Sequence, residues 1–423
     1  MKKNLRSKIL LCVLAGGVLA ANTALAAEYK EYTESISSGN ENYSTEIKSS
    51  DANGNYTYNF GQEAELVINN ESRGISLDYT ENSTANKIII NNKLDISVTN
   101  KDNANPTYGL YLQSNGDKEI DRSGGGNINV LVEDSELSAF AMGSGVFLTA
   151  LSDSDNNVIK IGNTDIEVQV LNAKHGIEAY GLTSSGTGDN NKIIMGNGSI
   201  NITANSVNEV FSNRYNVKPS GIAAYDNTEI KTGNVAIVVT ATGNENIRET
   251  VANGIIAEAG EAKVTTLNGS ITATAINTAD GATYANAILA GDGSNVTKSD
   301  GNITAVAEGE GTLAARGVNL WSDETITNLG VVDISAKTIG GSTENGNRID
   351  SIGVWTRDGS TAKIAGGSIT AEAYNSDEVT VNNDANIYAI LSDGTSFVNV
   401  NQETNNDVVI NGNIETGVIL LLN

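Results

Sequence analysis

The sequence predicts an all-β chain, a right-handed parallel β-helix (a β-solenoid) of about ten coils with three short strands in each. Three observations carry that reading. Two glycine-led motifs recur in phase, the strands they open alternate aliphatic with polar residues, and no stretch after residue 26 holds the 3.6-residue apolar stripe of an amphipathic helix. A one-sided short strand cannot stand alone. Stacking equivalent strands of successive repeats gives parallel ladders around a shared aliphatic interior. At roughly 4.8 Å between stacked strands, ten coils make a rod on the order of 50 Å long. A β-sandwich also alternates, but it leaves the fixed period unexplained.

The chain opens on a targeting segment. Lys2, Lys3, Arg6 and Lys8 precede the apolar run Ile9 to Ala21, which is too short to span a bilayer, and Ala24-Leu25-Ala26 sets small residues just before Ala27. This order reads as a secretory signal peptide over residues 1–26, with Ala24, Ala26 and Ala27 marking the cleavage site. The single cysteine, Cys12, lies inside that segment, so the processed chain has neither disulfides nor thiolate metal sites to rely on. Residues 27–70 are polar, rich in tyrosine and without repeat markers. They are expected to cap the N-terminal end of the rod, because an open end is a row of unpaired strand edges.

Residues 71–423 form the β-helical repeat region. One series runs Gly126-Asn127-Ile128, Gly162-Asn163-Thr164-Asp165-Ile166, Gly198-Ser199-Ile200, Gly233-Asn234-Val235, Gly269-Ser270-Ile271, Gly301-Asn302-Ile303, Gly330-Val331-Val332 and Gly367-Ser368-Ile369, at glycine spacings of 36, 36, 35, 36, 32, 29 and 37 residues. The second runs Gly74-Ile75, Gly109-Leu110, Gly145-Val146, Gly176-Ile177, Gly221-Ile222 and Gly254-Ile255, resuming at Gly317-Val318 and Gly353-Val354. Between them stands a third strand signal, as in Lys192-Ile193-Ile194 and Lys263-Val264-Thr265. Ile200, Ile202 and Ala204 face one way and Asn201 and Thr203 the other, so one face is buried and one wet. Turns rich in Gly, Asn, Asp and Ser separate the strands. Inward residues shrink from Ile166, Val168 and Val170 to Ile369, Ala371 and Ala373, which predicts narrower coils toward the C-terminus. Thr183 to Asp189, Asn205 to Lys218 and Gly340 to Asp350 break the period and are expected to protrude as loops.

Composition narrows the function classes. With 51 acidic and 26 basic residues the formal charge is -25, and removal of residues 1–26 leaves 22 basic residues. Such a chain is no nucleic-acid binder, since neutralising phosphates requires clustered Lys and Arg. A glycosidase would need two carboxylates about 5 to 10 Å apart. Asp153 with Asp155, and Asp377 with Glu378, offer carboxylates but read as solvated turn residues. His175 is the only histidine and sits in a turn, with no Ser-Asp arrangement about it. Asp292-Gly293-Ser294-Asn295 and Asp358-Gly359-Ser360 carry oxygen ligands without continuing into an EF-hand spacing. Gly124-Gly125-Gly126 lacks the Lys and Ser/Thr of a phosphate loop. No catalytic residue, metal site or cofactor is assigned.

A Sec-type signal, a cysteine-free acidic chain and repeats of the Gly-Ser-Ile-x-Ile-x-Ala kind resemble the passenger regions of Gram-negative autotransporters, over about residues 27 to 423. The resemblance implies export through the Sec machinery, passage through an outer-membrane β-barrel, and display at the cell surface or secretion, often for adhesion. No C-terminal series of amphipathic barrel strands follows the repeats, so the barrel is expected in a longer form of the chain, and Gly417 to Asn423 ends as an apolar strand. The expected partners are a host or bacterial surface protein or a polysaccharide. Outward Thr272, Thr274, Thr304 and Thr370 are candidates for a flat binding face, which would also suit ice. Trp321 and Trp355, with Tyr180 and Tyr225, are candidates for stacking on sugars. The alternative class is a β-helical polysaccharide lyase or glycoside hydrolase.

Overall fold

The structure, a computed structural model, describes residues 30–35, 42–43, 47–48, 54–60, 64–79, 86–101, 105–114, 117–133, 140–150, 156–173, 176–186, 188, 190–207, 212–244, 247–343, 346–393, 395–400, 408–411, 413–416 and 420–422. Ala24, Ala26, Ala27, Asp153, Asp155 and His175 lie outside the described residues. The chain is a parallel β-solenoid with three strands per coil and no α-helix among the described residues.

Three ladders run the length of the stack. In the first, Asn191–Met195, Thr228–Thr232, Lys263–Thr266 and Asn295–Lys298 pair residue for residue. In the second, Gly198–Ser206, Val235–Gly243, Ile271–Asn277 and Gly301–Gly309 do the same. The third stacks Ser212–Tyr225, Ile247–Glu258, Ala282–Gly291 and Leu313–Trp321. The first two merge into one 23-stranded sheet. Strands such as Ile326–Gly340 and Thr361–Tyr374 run through the corner between them. The third is a separate sheet of 12 strands. Lys30–Ser35 pairs in parallel with Gly54–Asn59, and Asn55 to Asn59 pair with Lys87 to Asn91, so residues ahead of the marked repeats stack in the same ladders.

The two glycine series are halves of one contact across the interior. Register stacks Ile96, Ile128, Ile166, Ile200, Ile237, Ile271, Ile303, Ile334 and Ile369 of the second ladder in one inward column. All are 0 to 1% exposed. Each such burial contributes about 1.5 to 3 kcal/mol before ordering costs. Facing them is the glycine column of the third ladder. A Cβ on Gly221 would stand 2.3 Å from Ile237 Cγ2 and 2.7 Å from the carbonyl oxygen of Gly254 in the next coil. The same pairing joins Gly145 to Ile166 and Gly317 to Ile334.

Register corrects one marker. Phe140 pairs with Gly176 and Ser144 with Tyr180, so Gly181, not Gly176, continues the column after Gly145. Ala287 takes the position between Gly254 and Gly317, which is why the series lapses there. Two expected loops are partly strand: Thr183 to Gly186 ends one third-ladder strand and Ser212 to Lys218 begins the next.

The wet-and-dry alternation holds in the second ladder, where Thr164–Ala173 alternates buried and exposed positions for most of its length. It fails in the third. Every residue of Thr107–Ser114 is buried, outward ones included. There the outward side chains are covered by their neighbours instead of standing in water.

Candidate functional site

The corners account for most of the turn motifs. Between the first and second ladders, the backbone N–H of Asn197 donates to Asn163 Oδ1 at 2.9 Å. Asn234 donates to Asn197 Oδ1 at 2.8 Å, Asn268 to Asn234 Oδ1 at 3.2 Å, and Val331 to Asp300 Oδ1 at 2.8 Å. Each corner side chain thus satisfies an N–H that no ladder reaches. The hollow at Gly124 and Gly126, of about 450 Å³, belongs to this corner and is lined by Lys93, Asn163 and Asn197.

The suspected oxygen-ligand turns are corners as well. Asp292 and Gly293 hold φ of 52° and 79°, and Asp358 and Gly359 hold 54° and 86°, so both pairs turn through the left-handed region that these residue types tolerate. Their serines point inward: Ser294 Oγ donates to the carbonyl of Ala257 at 2.8 Å, and Ser360 Oγ accepts from the N–H of Arg357 at 3.0 Å. Asp377 accepts from the N–H groups of Val379 and Thr380 at 2.9 and 2.8 Å, which makes it a turn-former. Among the described residues no three His, Cys, Asp or Glu side chains group as metal ligands.

The candidate binding residues divide between two faces. Thr272, Thr304 and Thr370 stand in one outward column of the second ladder, with Ser335 between the last two. Thr274 lies in the neighbouring column, which continues as Val306, Lys337 and Glu372. The hydroxyl strip is therefore broken by an apolar residue and two charges. Trp321 and Trp355 belong to the third ladder. Trp321 lies against Gly291 of the preceding coil, where a Cβ would come within 2.3 Å of the indole. Tyr180, expected to be exposed, is buried at 8%, and Tyr225 is half-buried beside it.

The outward side of the third ladder carries the richest chemistry of the chain. Near the N-terminal end, Tyr108, Tyr111 and Phe147 cluster, the last two with rings 9° from parallel and centroids 5.7 Å apart, and the Arg73 guanidinium sits 3.9 Å above Tyr111. In the middle, Tyr180 donates to Glu178 Oε2 at 3.0 Å and clusters with Ala223 and Ile256, with Leu289 packed against that cluster. Burial raises both groups: it favours the protonated Glu178 carboxyl, and it pushes the Tyr180 hydroxyl well above its ordinary range. Beyond them an amide ladder climbs the face. Asn286 Nδ2 donates to Asn253 Oδ1 at 3.0 Å and Asn319 Nδ2 to Asn286 Oδ1 at 3.2 Å.

The ladder leads to Trp355, which has the Arg316 and Arg357 guanidinium carbons 4.9 and 4.1 Å from its ring centroid. Sequence reasoning found this tryptophan through its residue type alone. It missed the asparagines and arginines, because residues from four coils meet only once the register is known.

Protein-family models, curated proteins and solved structures yield no match to this chain.

Proposed function

We propose that this chain is an exported β-helical passenger, displayed at the cell surface or secreted, whose third face binds glycans on a host or bacterial surface. The observation that carries the binding reading is the outward side of the third ladder. Half-buried Phe147 and Trp355 lie along one continuous sheet over a buried layer of Tyr108, Tyr111 and the Asn253–Asn286–Asn319 amides, while the second ladder turns threonine mixed with valine, lysine and glutamate outward. Aromatic faces with amide donors and acceptors suit sugar rings, whose apolar C–H faces and hydroxyl rims require both. An elongated stack can repeat weak contacts along its length, so avidity needs no deep pocket. Export is supported by the pattern of residues 1–26.

A glycan-array screen of the purified mature chain tests the reading. Binding that drops at least tenfold in Trp355→Ala and is unchanged in Thr304→Ala supports it. Retention by no glycan overturns it. Export is tested by the N-terminal sequence of secreted protein, expected to start at Ala27.

A further inference from the structure

We infer that Arg316, Trp355 and Arg357 form an anion subsite on the third face, built for the carboxylate of an acidic sugar; this rests on the glycan reading above. The first argument is the pairing that is missing. The chain holds 51 acidic residues against 26 basic ones, so carboxylates are plentiful. Asp350 stands near Arg316, yet it is already engaged: Arg348 Nε lies 2.8 Å from Oδ1 and 2.7 Å from Oδ2, and Asn386 Nδ2 donates to Oδ1 at 2.9 Å. No ion pair holds Arg316 or Arg357 among the described residues. Arg357 reaches only Asn319 Oδ1, at 3.5 Å.

The second argument is the set of donors left over. Arg316 Nε, Trp355 Nε1 and Arg357 Nε are buried and have no acceptor. Orphaned buried donors are costly, and three in one cluster point to an acceptor that arrives from outside. A carboxylate brings two oxygens and about four lone pairs, and the planar guanidinium fork matches its geometry. Trp355 holds the two guanidinium groups by cation–π contact, so part of their ordering is complete before a ligand arrives. Burial lowers the Arg316 guanidinium to about 10, which leaves it charged at neutral pH. Asp358 and Asp393 act on Arg357 from the following corners. Arg316, with the Trp355 ring on one side and the ring of Tyr284 at 5.8 Å, is accordingly the principal carboxylate partner.

The test compares three probes of equal length by calorimetry on the mature chain: a hyaluronan octasaccharide, its carboxyl-reduced form, and a sulfated galactan octasaccharide. The expected result is that hyaluronan binds at least tenfold more tightly than the reduced form, with Arg316→Gln removing that preference and Arg316→Lys restoring only part of it. Equal binding of acidic and reduced sugars overturns the subsite and leaves the glycan reading standing. Preference for the sulfated probe replaces carboxylate with sulfate and also overturns it. Binding of no probe, together with a blank glycan array, removes both proposals. Where Arg316→Gln fails to fold, the wild-type comparison and Arg357→Gln decide.

Discussion

The outward sides of the second and third ladders are built from strands of similar length in the same coils, and they end up as opposite surfaces. Thr272 and Thr304 stand half-exposed over a regular alternation. Tyr180, Asn253 and Asn286 point outward too, yet they are 8, 4 and 4% exposed. The outward residues differ in size: on the third ladder tyrosines, asparagines and isoleucines cover one another, and Asn286 beside Ala287 is as buried as Asn253 beside Gly254. Beneath them the inward glycines let the ladder approach the isoleucine column closely.

The largest expected effect strikes that close approach. Gly254→Val puts branched carbon where a Cβ alone would sit 2.3 Å from Ile271 Cγ2 and 2.5 Å from the carbonyl oxygen of Ala287. A loss of ~3 kcal/mol is expected, because backbone has to move as well as side chain. Ala287→Gly, in the same column, is expected to cost no more than ~1 kcal/mol. Urea midpoints followed by circular dichroism check both, and equal midpoints for the two variants would show that the column tolerates a branched side chain despite the close approach.

How much of this was legible beforehand depends on range. Strand type, period and the Ile200-x-Ile202 alternation are local, and the residues display them directly. Gly176 also precedes an isoleucine, so the local pattern puts it in the column. Only register with Phe140 shows that Gly181 holds the position. For Tyr180 the alternation says outward, and only the stacking of Ala223 and Ile256 from later coils says covered. The Arg316–Trp355–Arg357 cluster spans two coils, and residues about forty apart that meet through stacking leave no motif in a single sequence.

Next in size is the contrast between outward residues. Tyr180→Ala removes a buried ring and is expected to cost ~3 kcal/mol, as a core aromatic would. Thr304→Ala is expected to stay within ~0.5 kcal/mol. Similar values for the two would mean that the third face is no better packed than the second.

Glu178 and Tyr180 separate packing from charge. Burial raises the Glu178 carboxyl above its ordinary 4.5, while the hydroxyl of Tyr180 pulls it back. Between 4.5 and the raised value the folded chain binds more protons than the unfolded one, so stability falls as pH climbs through that window and is flat above it. Glu178→Gln keeps an acceptor for Tyr180 and removes the charge, so the fall should vanish. Tyr180→Phe removes the donor and leaves the carboxylate worse solvated, costing ~1 kcal/mol at neutral pH and steepening the fall. Urea titrations at stepped pH read both slopes. A wild-type profile that rises from pH 4.5 to 7 at this site, relative to Glu178→Gln, would mean that the carboxylate is better solvated in the coil than in water.

The smallest effect is expected on the threonine column, and it sharpens the comparison most cheaply. Thr370 accepts a hydrogen bond from Asn411 at 3.3 Å, while Thr272 and Thr304 stand half-exposed without a deep neighbour. Replacing Thr272 and Thr304 together by alanine exchanges β-branched for unbranched side chains on a wet strand face, a change of ~1 kcal/mol at most. Glycan affinity should move less than twofold, since Val306 and Lys337 already interrupt any regular hydroxyl array on that face. A tenfold loss of glycan binding in this double variant, with its urea midpoint unchanged, would transfer the recognition surface from the third ladder to the second.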